Sequence, residues 1–373
     1  AKPYGIKTGM TILEARQKCP KLYLAPPNYS LYQCCSKAFM QILQEYTPDI
    51  EVYSIDESFL DMTSTINLYG EAVEVAYHIK NRIKSELGFT VNVGVSSNKL
   101  LAKMASEFEK PDRVHTLFPN EIKEKMWPLP VSELFFCGRA TTKKLSSIGI
   151  NTIGDLANTD IEILKSHLKK QGEVMWSFAN GLDFSAVISE APKQKGYGNS
   201  TTTPFDVSDL ETAKKVLLAL CETVGARLRM DDFQAKVISI GIKNFDLKYS
   251  SHQMIMKNAT NITIELYHYS CELFQQLWDG RTPIRHLAIH TSSLSSGVSG
   301  RQMDLFDVTD YVRLEKLDKT VDAIRNRYGK DVLKRAAFIQ VKGTDTKLQS
   351  IDHMEGGVSR EKRSVDYSKI KVV

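Results

Sequence analysis

Between residues 50 and 110 the chain alternates strand-like and helix-like patterning twice, and this alternation constrains the fold more than any other feature. Residues 50–55 (Ile-Glu-Val-Tyr-Ser-Ile) read as a strand, with the adjacent carboxylates Asp56 and Glu57 at its exit. Residues 71–87 read as a helix, with Ala76, Ile79, Ile83 and Leu87 on one face. Residues 89–95 alternate with period two, which turns Phe89, Val91, Val93 and Val95 inward. Residues 98–110 are helical again, with Leu100, Leu101, Met104, Ala105 and Phe108 apolar and Lys99, Lys103, Ser106 and Lys110 opposite. Two strand–helix units in succession predict a compact α+β layer closing near Asp112.

The flanking sequence changes character. Residues 1–28 are turn-rich with one short helix near residues 11–19, and residues 29–46 carry helical spacing that Pro48 ends. Residues 118–187 break into short helices over 121–126, 141–147 and 153–156 and a longer one from Ile161. Residues 189–198 are polar, with one proline and two glycines, and read as a linker. Beyond it, Ser208-Asp-Leu-Glu211 predicts a capping box opening a helix with Val216, Leu217, Leu220, Val224 and Leu228 on one face. Strands at 236–243 and 285–290 flank a helix over 263–278, a second α+β domain. A helix over 314–328 follows, with Leu314, Leu317, Val321, Ile324 and Tyr328 as its stripe, and the polar stretch after Gly343 predicts disorder.

A chain of 373 residues is too long for one ordinary core. No apolar run approaches the ~18 residues of a membrane span, and no signal peptide opens the chain, so a cytoplasmic location is expected. The six cysteines include no CxxC pair, which argues against zinc and for reduced thiols. The net charge of +5 resides in residues 321–373, where twelve Lys/Arg face seven Asp/Glu, leaving residues 1–320 neutral. Bulk charge therefore does not diagnose a nucleic-acid binder, and local arrangement has to carry that inference.

Four local arrangements point to chemistry. Asp56 and Glu57 offer hard oxygen ligands that suit Mg²⁺. Their neighbours Val52, Tyr53, Ile55, Phe59 and Leu60 read as buried, so a cation is expected to offset the desolvation of the acids. The lysine stripe opposite suits a polyphosphate, with Lys103 placed to orient acids. Residues 136–141 (Phe-Cys-Gly-Arg-Ala-Thr), then Ile148-Gly-Ile150 and Ile153-Gly-Asp-Leu156, read as two helices joined by a tight turn. Gln302-Met-Asp-Leu-Phe306 has an amide and a Leu-Phe pair that can enter an apolar groove as an extended peptide.

These residues carry a resemblance to the Y-family translesion DNA polymerases of the UmuC/DinB type, running from Ala1 to about Phe306. It implies a multi-domain right-hand α+β polymerase: fingers at 1–28, palm at 29–117, helical thumb at 118–188, linker at 189–198, little finger at 199–300, then a clamp-binding motif, helix and polar tail over 301–373. By that resemblance Asp56 would bridge two Mg²⁺ ions and Glu57 would hold the one that activates the primer hydroxyl, both being catalytic. Lys110, before Pro111, would contact the incoming dNTP triphosphate. So would Lys2, where many relatives carry arginine; lysine supplies charge there but no bidentate fork. Residues 5–10 resemble the fingers loop over the nascent base pair. Gly138, Arg139, Ala140 and Thr141 would form a helix-hairpin-helix that directs backbone N–H groups at a DNA phosphate. Ala140 stands where the second glycine is usual, so backbone approach should be less close there. Lys236 and Lys243 would hold primer-template DNA from the little finger. Gln302, Leu305 and Phe306 would bind a bacterial sliding clamp, the protein otherwise being a monomer.

The resemblance also implies a first palm strand carrying another catalytic aspartate, then an aromatic that excludes ribose, both aligning before Ala1. The chain therefore reads as a fragment, and if Ala1 is the true start, as a catalytically silent DNA- and clamp-binding relative. A palm-type nucleotidyl cyclase would share the acid pair but has no use for the hairpin or the clamp-like peptide.

Overall fold

The computed structural model describes residues 1–190, 193–297, 300–302, 308–329 and 332–338. It divides into two compact units: a helical unit, Ala25–Pro192, and a sheet unit formed by Ala1–Leu24 with Lys193–Val373. In the N-terminal segment the only α-helix is α1 (Ile12–Lys18). A capping box starts it: Glu14 N–H donates to Thr11 Oγ1, and Thr11 N–H donates back to the Glu14 carboxylate at 2.8 Å.

The helical unit begins with α2 (Tyr29–Gln44), capped by Asn28, whose side chain accepts the Leu31 N–H. Only the far half of its stripe is core: Ile42, Leu43 and Tyr46 are buried, whereas Leu31 and Tyr32 are exposed. Strands β1 (Ile50–Val52) and β2 (Ser58–Leu60) pair antiparallel as a hairpin, Ile50 opposite Leu60. After the short α3 (Ile66–Tyr69), α4 (Ala72–Leu87) buries Val75, Ala76, Ile79 and Ile83. It ends at Gly88 with φ 75°, the left-handed cap that glycine adopts without strain.

Strand β3 (Val93–Val95) pairs parallel with β4 (Val114–Thr116), and α5 (Lys99–Glu107) crosses between them. The expected strand over 89–95 shortens to three residues, because β4 is its sole ladder partner among the described residues. The two ladders do not join into one sheet there. α5 lies so close on β3 that a Cβ on Gly94 would come within 1.9 Å of the Ala102 carbonyl oxygen. Leu100, Leu101, Met104 and Ala105 are its buried face, as their spacing predicts. The helix stops at Glu107, so Lys110 lies beyond it.

After three single turns, α6 (Arg139–Ser146), α7 (Ile153–Asn158), α8 (Ile161–Leu168) and α9 (Lys170–Ala179) close over Leu117, Met126, Leu145, Ile153, Leu156, Leu164 and Met175. The longer helix expected from Ile161 breaks at Lys169, whose φ is 56°.

In the sheet unit, β5 (Gly196–Val207), β6 (Phe233–Asn244), β7 (Tyr249–Thr260) and β8 (Ile284–Ser296) form one antiparallel sheet of order β5-β8-β6-β7. Helices α10 (Leu210–Met230) and α11 (Thr263–Leu277) supply the core against it, around Phe274, Leu220, Ile238 and Ile289. The cap of α10 is Asp209 rather than Ser208. Its carboxylate accepts the Thr212 N–H at 2.7 Å and places negative charge at the positive helix end. Strands β2, β4, β5 and β7 have no counterpart among the expected strands, and β5 begins at Gly196, inside the stretch read as a linker. β7 is an edge strand with Tyr249, Ser250, Ser251, His252 and Gln253 all exposed, so it lacks a strong apolar alternation.

The last helix, α12 (Tyr311–Tyr328), docks by charge rather than by its apolar stripe. Asp318 is buried and accepts both the Arg229 guanidinium at 3.1 Å and the Thr263 N–H at the start of α11 at 2.7 Å. Asp322 also takes Arg229, at 2.6 Å, and Glu222 takes Arg325 and Arg335. Leu317 and Tyr328, expected inside, are exposed.

Candidate active site

The acid pair sits on the turn of the β1–β2 hairpin, which the N–H groups of Tyr53 and Ser54 close by donating to the Glu57 carbonyl at 3.0 Å. Asp56 is exposed, and its carboxylate accepts the Ser54 hydroxyl at 2.6 Å. The expectation that buried neighbours desolvate the acids is wrong. Val52, Tyr53 and Ile55 are 62%, 41% and 49% exposed, because the turn projects past a ladder of only three pairs.

Charge, not burial, organises the pair. Helix α5 presents Lys103 to Glu57 at 2.8 Å and to Glu107 at 2.9 Å, and Glu107 holds Lys110 at 2.7 Å. Glu57, Lys103, Glu107 and Lys110 thus form one chain of alternating sign. One turn earlier, Lys99 binds Glu51 of β1 at 2.8 Å, and Glu51 also accepts the Ile188 N–H at 3.0 Å. The start of α5 is fixed by Asn98, whose side chain accepts the Leu101 N–H, and by Asp183, which accepts the Leu100 N–H.

The titrations follow this pattern. Burial works to lower the Lys103 ammonium, and the two carboxylates outweigh it, leaving its pKa raised. Burial likewise works to raise Glu107, and Lys110 and Lys103 overcome it, leaving the carboxyl below its ordinary range. Glu51 is lowered in the same way, burial being outweighed by Lys99 and the Ile188 N–H. Glu51 and Glu107 are the site residues that motif reasoning missed; the i,i+4 spacing of Lys103 and Glu107 was the available signal.

As a metal site, the donors are hard carboxylate oxygens on a solvent-facing turn, which fits an ion that keeps several waters. Among the described residues no group of three His, Cys, Asp or Glu side chains is arranged to hold a metal, so Asp56 and Glu57 stand as a pair.

Of the other expected site residues, Lys2 opens a 3₁₀ turn, Lys2–Tyr4, in the sheet unit's N-terminal segment and is exposed. Gly138 is the N-cap of α6, with no side-chain cap and nothing within 4 Å of where a Cβ would stand. Arg139 and Ala140 are exposed beside it, and Thr141 is half-buried. Ala140 lies in the first turn of α6, and Phe136, two residues before the cap, takes φ 66°. The second helix, α7, starts with a capping box between Thr152 and Asp155, and Gly154 packs on Trp127.

On β6 the buried Ile238, Ile240 and Ile242 alternate with Ser239, Gly241 and Lys243, which puts Lys243 on the helix-free face of the sheet. Lys236 falls at a bulge and donates to the Lys257 carbonyl at 2.5 Å, so the two lysines are not equivalent. Gln302 is pinned to β7 through its backbone, its N–H donating to Asn258 Oδ1 at 2.9 Å. Leu305 and Phe306 lie outside the described residues.

Residues 1–107 match the model of the impB/mucB/samB family, and residues 194–305 match that family's C-terminal domain. Along its length the chain is 45% identical over 340 residues to DNA polymerase IV of Clostridium acetobutylicum, covering 91% of this chain and 85% of that protein. The chain belongs to the Y-family DNA polymerases. Within this family it is also 39% identical to DNA polymerase IV of Acetivibrio thermocellus, over 92% of this chain and 87% of that one. It is 35% identical to DNA polymerase IV 2 of Bacillus subtilis, over 92% and 84%. Residues 137–183 match the thumb domain of DNA polymerase iota. A solved Y-family chimera of Dbh and Dpo4 shares the fold, with a TM-score of 0.68 at 24% identity over 79% of this chain and 86% of that one. No helix among the described residues is long and apolar enough to cross a membrane.

Proposed function

We propose that this Y-family chain is a DNA-directed DNA polymerase of the translesion type. It extends a primer past damaged template bases by attack of the primer 3′-hydroxyl on the α-phosphate of a dNTP. The observation that carries this reading is the acid pair on a solvent-facing hairpin turn, its Glu57 met by Lys103 of α5, in a chain 45% identical to a DNA polymerase IV. Asp56 and Glu57 would hold Mg²⁺, two ions in the working enzyme, which supply charge stabilisation to the attacking and leaving oxygens.

The chain's own residues do the rest. Lys110, 42% exposed beyond the end of α5, can exchange Glu107 for a triphosphate oxygen. Lys2, exposed in the N-terminal segment, would offer a cation to a triphosphate. Lys99, fully engaged by Glu51, positions α5 rather than binding nucleotide. The uncapped start of α6 at Gly138–Thr141 would take a DNA phosphate through backbone N–H groups, and Lys243 another, so DNA is gripped without reading sequence. Gln302, Leu305 and Phe306 would enter an apolar groove of the sliding clamp as an extended peptide. The protein would act as a cytoplasmic monomer recruited by that clamp.

The test is primer extension on damaged and undamaged templates by the natural full-length protein. Extension should require a divalent cation, stop on chelation and resume with Mg²⁺. DNA that is bound but never extended, with metal and dNTP present, would replace this reading by the silent DNA- and clamp-binding one.

A further inference from the structure

Lys103 donates to two carboxylates that compete for one positive charge. Its ammonium lies 2.8 Å from Glu57 and 2.9 Å from Glu107, and its side chain is 14% exposed, against 38% and 44% for the two acids. The lysine is therefore the fixed member of the trio. Its stem is held on α5, which Gly94 lets lie against β3, while both carboxylates reach in from half-exposed positions. Glu107 is itself divided, since Lys110 takes its other oxygen at 2.7 Å. An ammonium that close to Glu57 repels a divalent ion approaching the same carboxylate, and Glu57 can turn outward to solvent only as Lys103 is neutralised from its other side.

We infer that Lys103 is an exchangeable counter-ion at the acid pair. It occupies Glu57 when no divalent cation does, and Glu107 sets how readily it lets go. The inference rests on the reading that Asp56 and Glu57 hold a cation, and it assigns Lys103 as a positioning residue that tunes that site. It also links the two ends of the chain of charges. A triphosphate that draws Lys110 away leaves Glu107 wholly to Lys103, which releases Glu57.

Mn²⁺ binding to the protein alone, without DNA or nucleotide and read by electron paramagnetic resonance, tests this. Lys103→Met keeps the stem and removes the charge, and should tighten Mn²⁺ binding about tenfold. Lys103→Arg keeps the charge and should stay near the wild-type affinity. Glu107→Gln should weaken Mn²⁺ binding severalfold in the wild-type background, yet change it less than about twofold when Lys103 is already Met. Unchanged or weaker binding in Lys103→Met overturns the proposal. So does a Glu107→Gln effect of equal size in both backgrounds, which would mean that Glu107 acts on the ion directly. If no variant binds Mn²⁺, or Asp56→Ala binds it as well as wild type, the cation site itself fails and this proposal with it. A melting temperature of Lys103→Met within a few degrees of wild type shows that any change in affinity is not a loss of fold.

Discussion

In the sheet unit, four strands of twelve or thirteen residues pair along most of their length and share one core, whereas β1 and β2, which frame the acid pair, pair over three residues each. The first arrangement satisfies its own backbone and buries Phe274, Leu266 and Leu273 completely. The second leaves its turn exposed, and β2 and β3 each show an edge with no strand partner among the described residues. An isolated two-stranded hairpin is marginal in water, so the hairpin depends on α2, α4 and the ion pairs of α5 for its position. On the function proposed above, the difference would separate gripping from reacting: the long-stranded sheet would hold the polymer, and the exposed turn would let water, metal and substrate reach its carboxylates.

That contrast can be broken most easily through stability. Phe274→Ala, in the sheet unit's core, should cost about 3–5 kcal/mol in denaturant unfolding. Ile55→Ala, on the hairpin turn, should change it by less than about 0.5 kcal/mol. Comparable losses would show that the hairpin is as deeply packed as the sheet. A step smaller, Arg229→Met should cost about 3 kcal/mol, because it leaves Asp318 and Asp322 on the docked face of α12 without the Arg229 cation. A neutral result would mean that α12 is held by its apolar residues after all.

Acid sharpens the comparison. Glu51 and Glu107 have lowered folded values, so their contribution is whole above the ordinary carboxylate range near pH ~4 and is lost as pH falls through those lowered values. Lys103 has a raised value, so its contribution is whole below about pH 10 and is lost only as pH rises through the raised one. In the sheet unit, Asp279 is held down to about 2 by the Thr282 hydroxyl and the Arg281 and Thr282 N–H groups, so its turn should persist between pH ~4 and 2. Amide exchange followed down the pH scale should show α5 and β1 loosening while the turn at Asp279 keeps its protection. Simultaneous loss would contradict these assignments. The smallest effect is chemical. Cys34, exposed on α2, should alkylate readily, while Cys221, whose thiol burial pushes up to about 12, should not until the sheet unit unfolds.

The sequence made the helices legible because their signal is local. The period of Leu100, Leu101, Met104 and Ala105 predicts α5 and its buried face, whereas Asp56-Glu57 read as acids between buried neighbours and stand on an exposed hairpin turn. Further features were not legible. β7 is an exposed edge strand whose residues carry little apolar alternation. The partners of the lysines come from elsewhere: Glu51 lies 48 positions from Lys99, and Glu57 lies 46 from Lys103. The stripe of α12 was legible only in part: Leu314, Val321 and Ile324 are half-buried, Leu317 and Tyr328 are exposed, and the most buried residue is Asp318, which with Asp322 binds Arg229.

Asp56→Ala and Lys243→Ala, each made in the natural full-length protein and measured for both DNA affinity and single-turnover primer extension, test the division of labour most directly. Asp56→Ala should bind primer-template normally and extend it at least about a thousandfold more slowly, since it removes a carboxylate from the reacting centre. Lys243→Ala should weaken binding on every sequence alike, reduce the salt dependence by about one counter-ion, and leave the rate of extension at saturating DNA unchanged. Retained extension by Asp56→Ala, or a loss of chemistry at saturating DNA in Lys243→Ala, would contradict the assignment of reaction to the hairpin and of grip to the sheet.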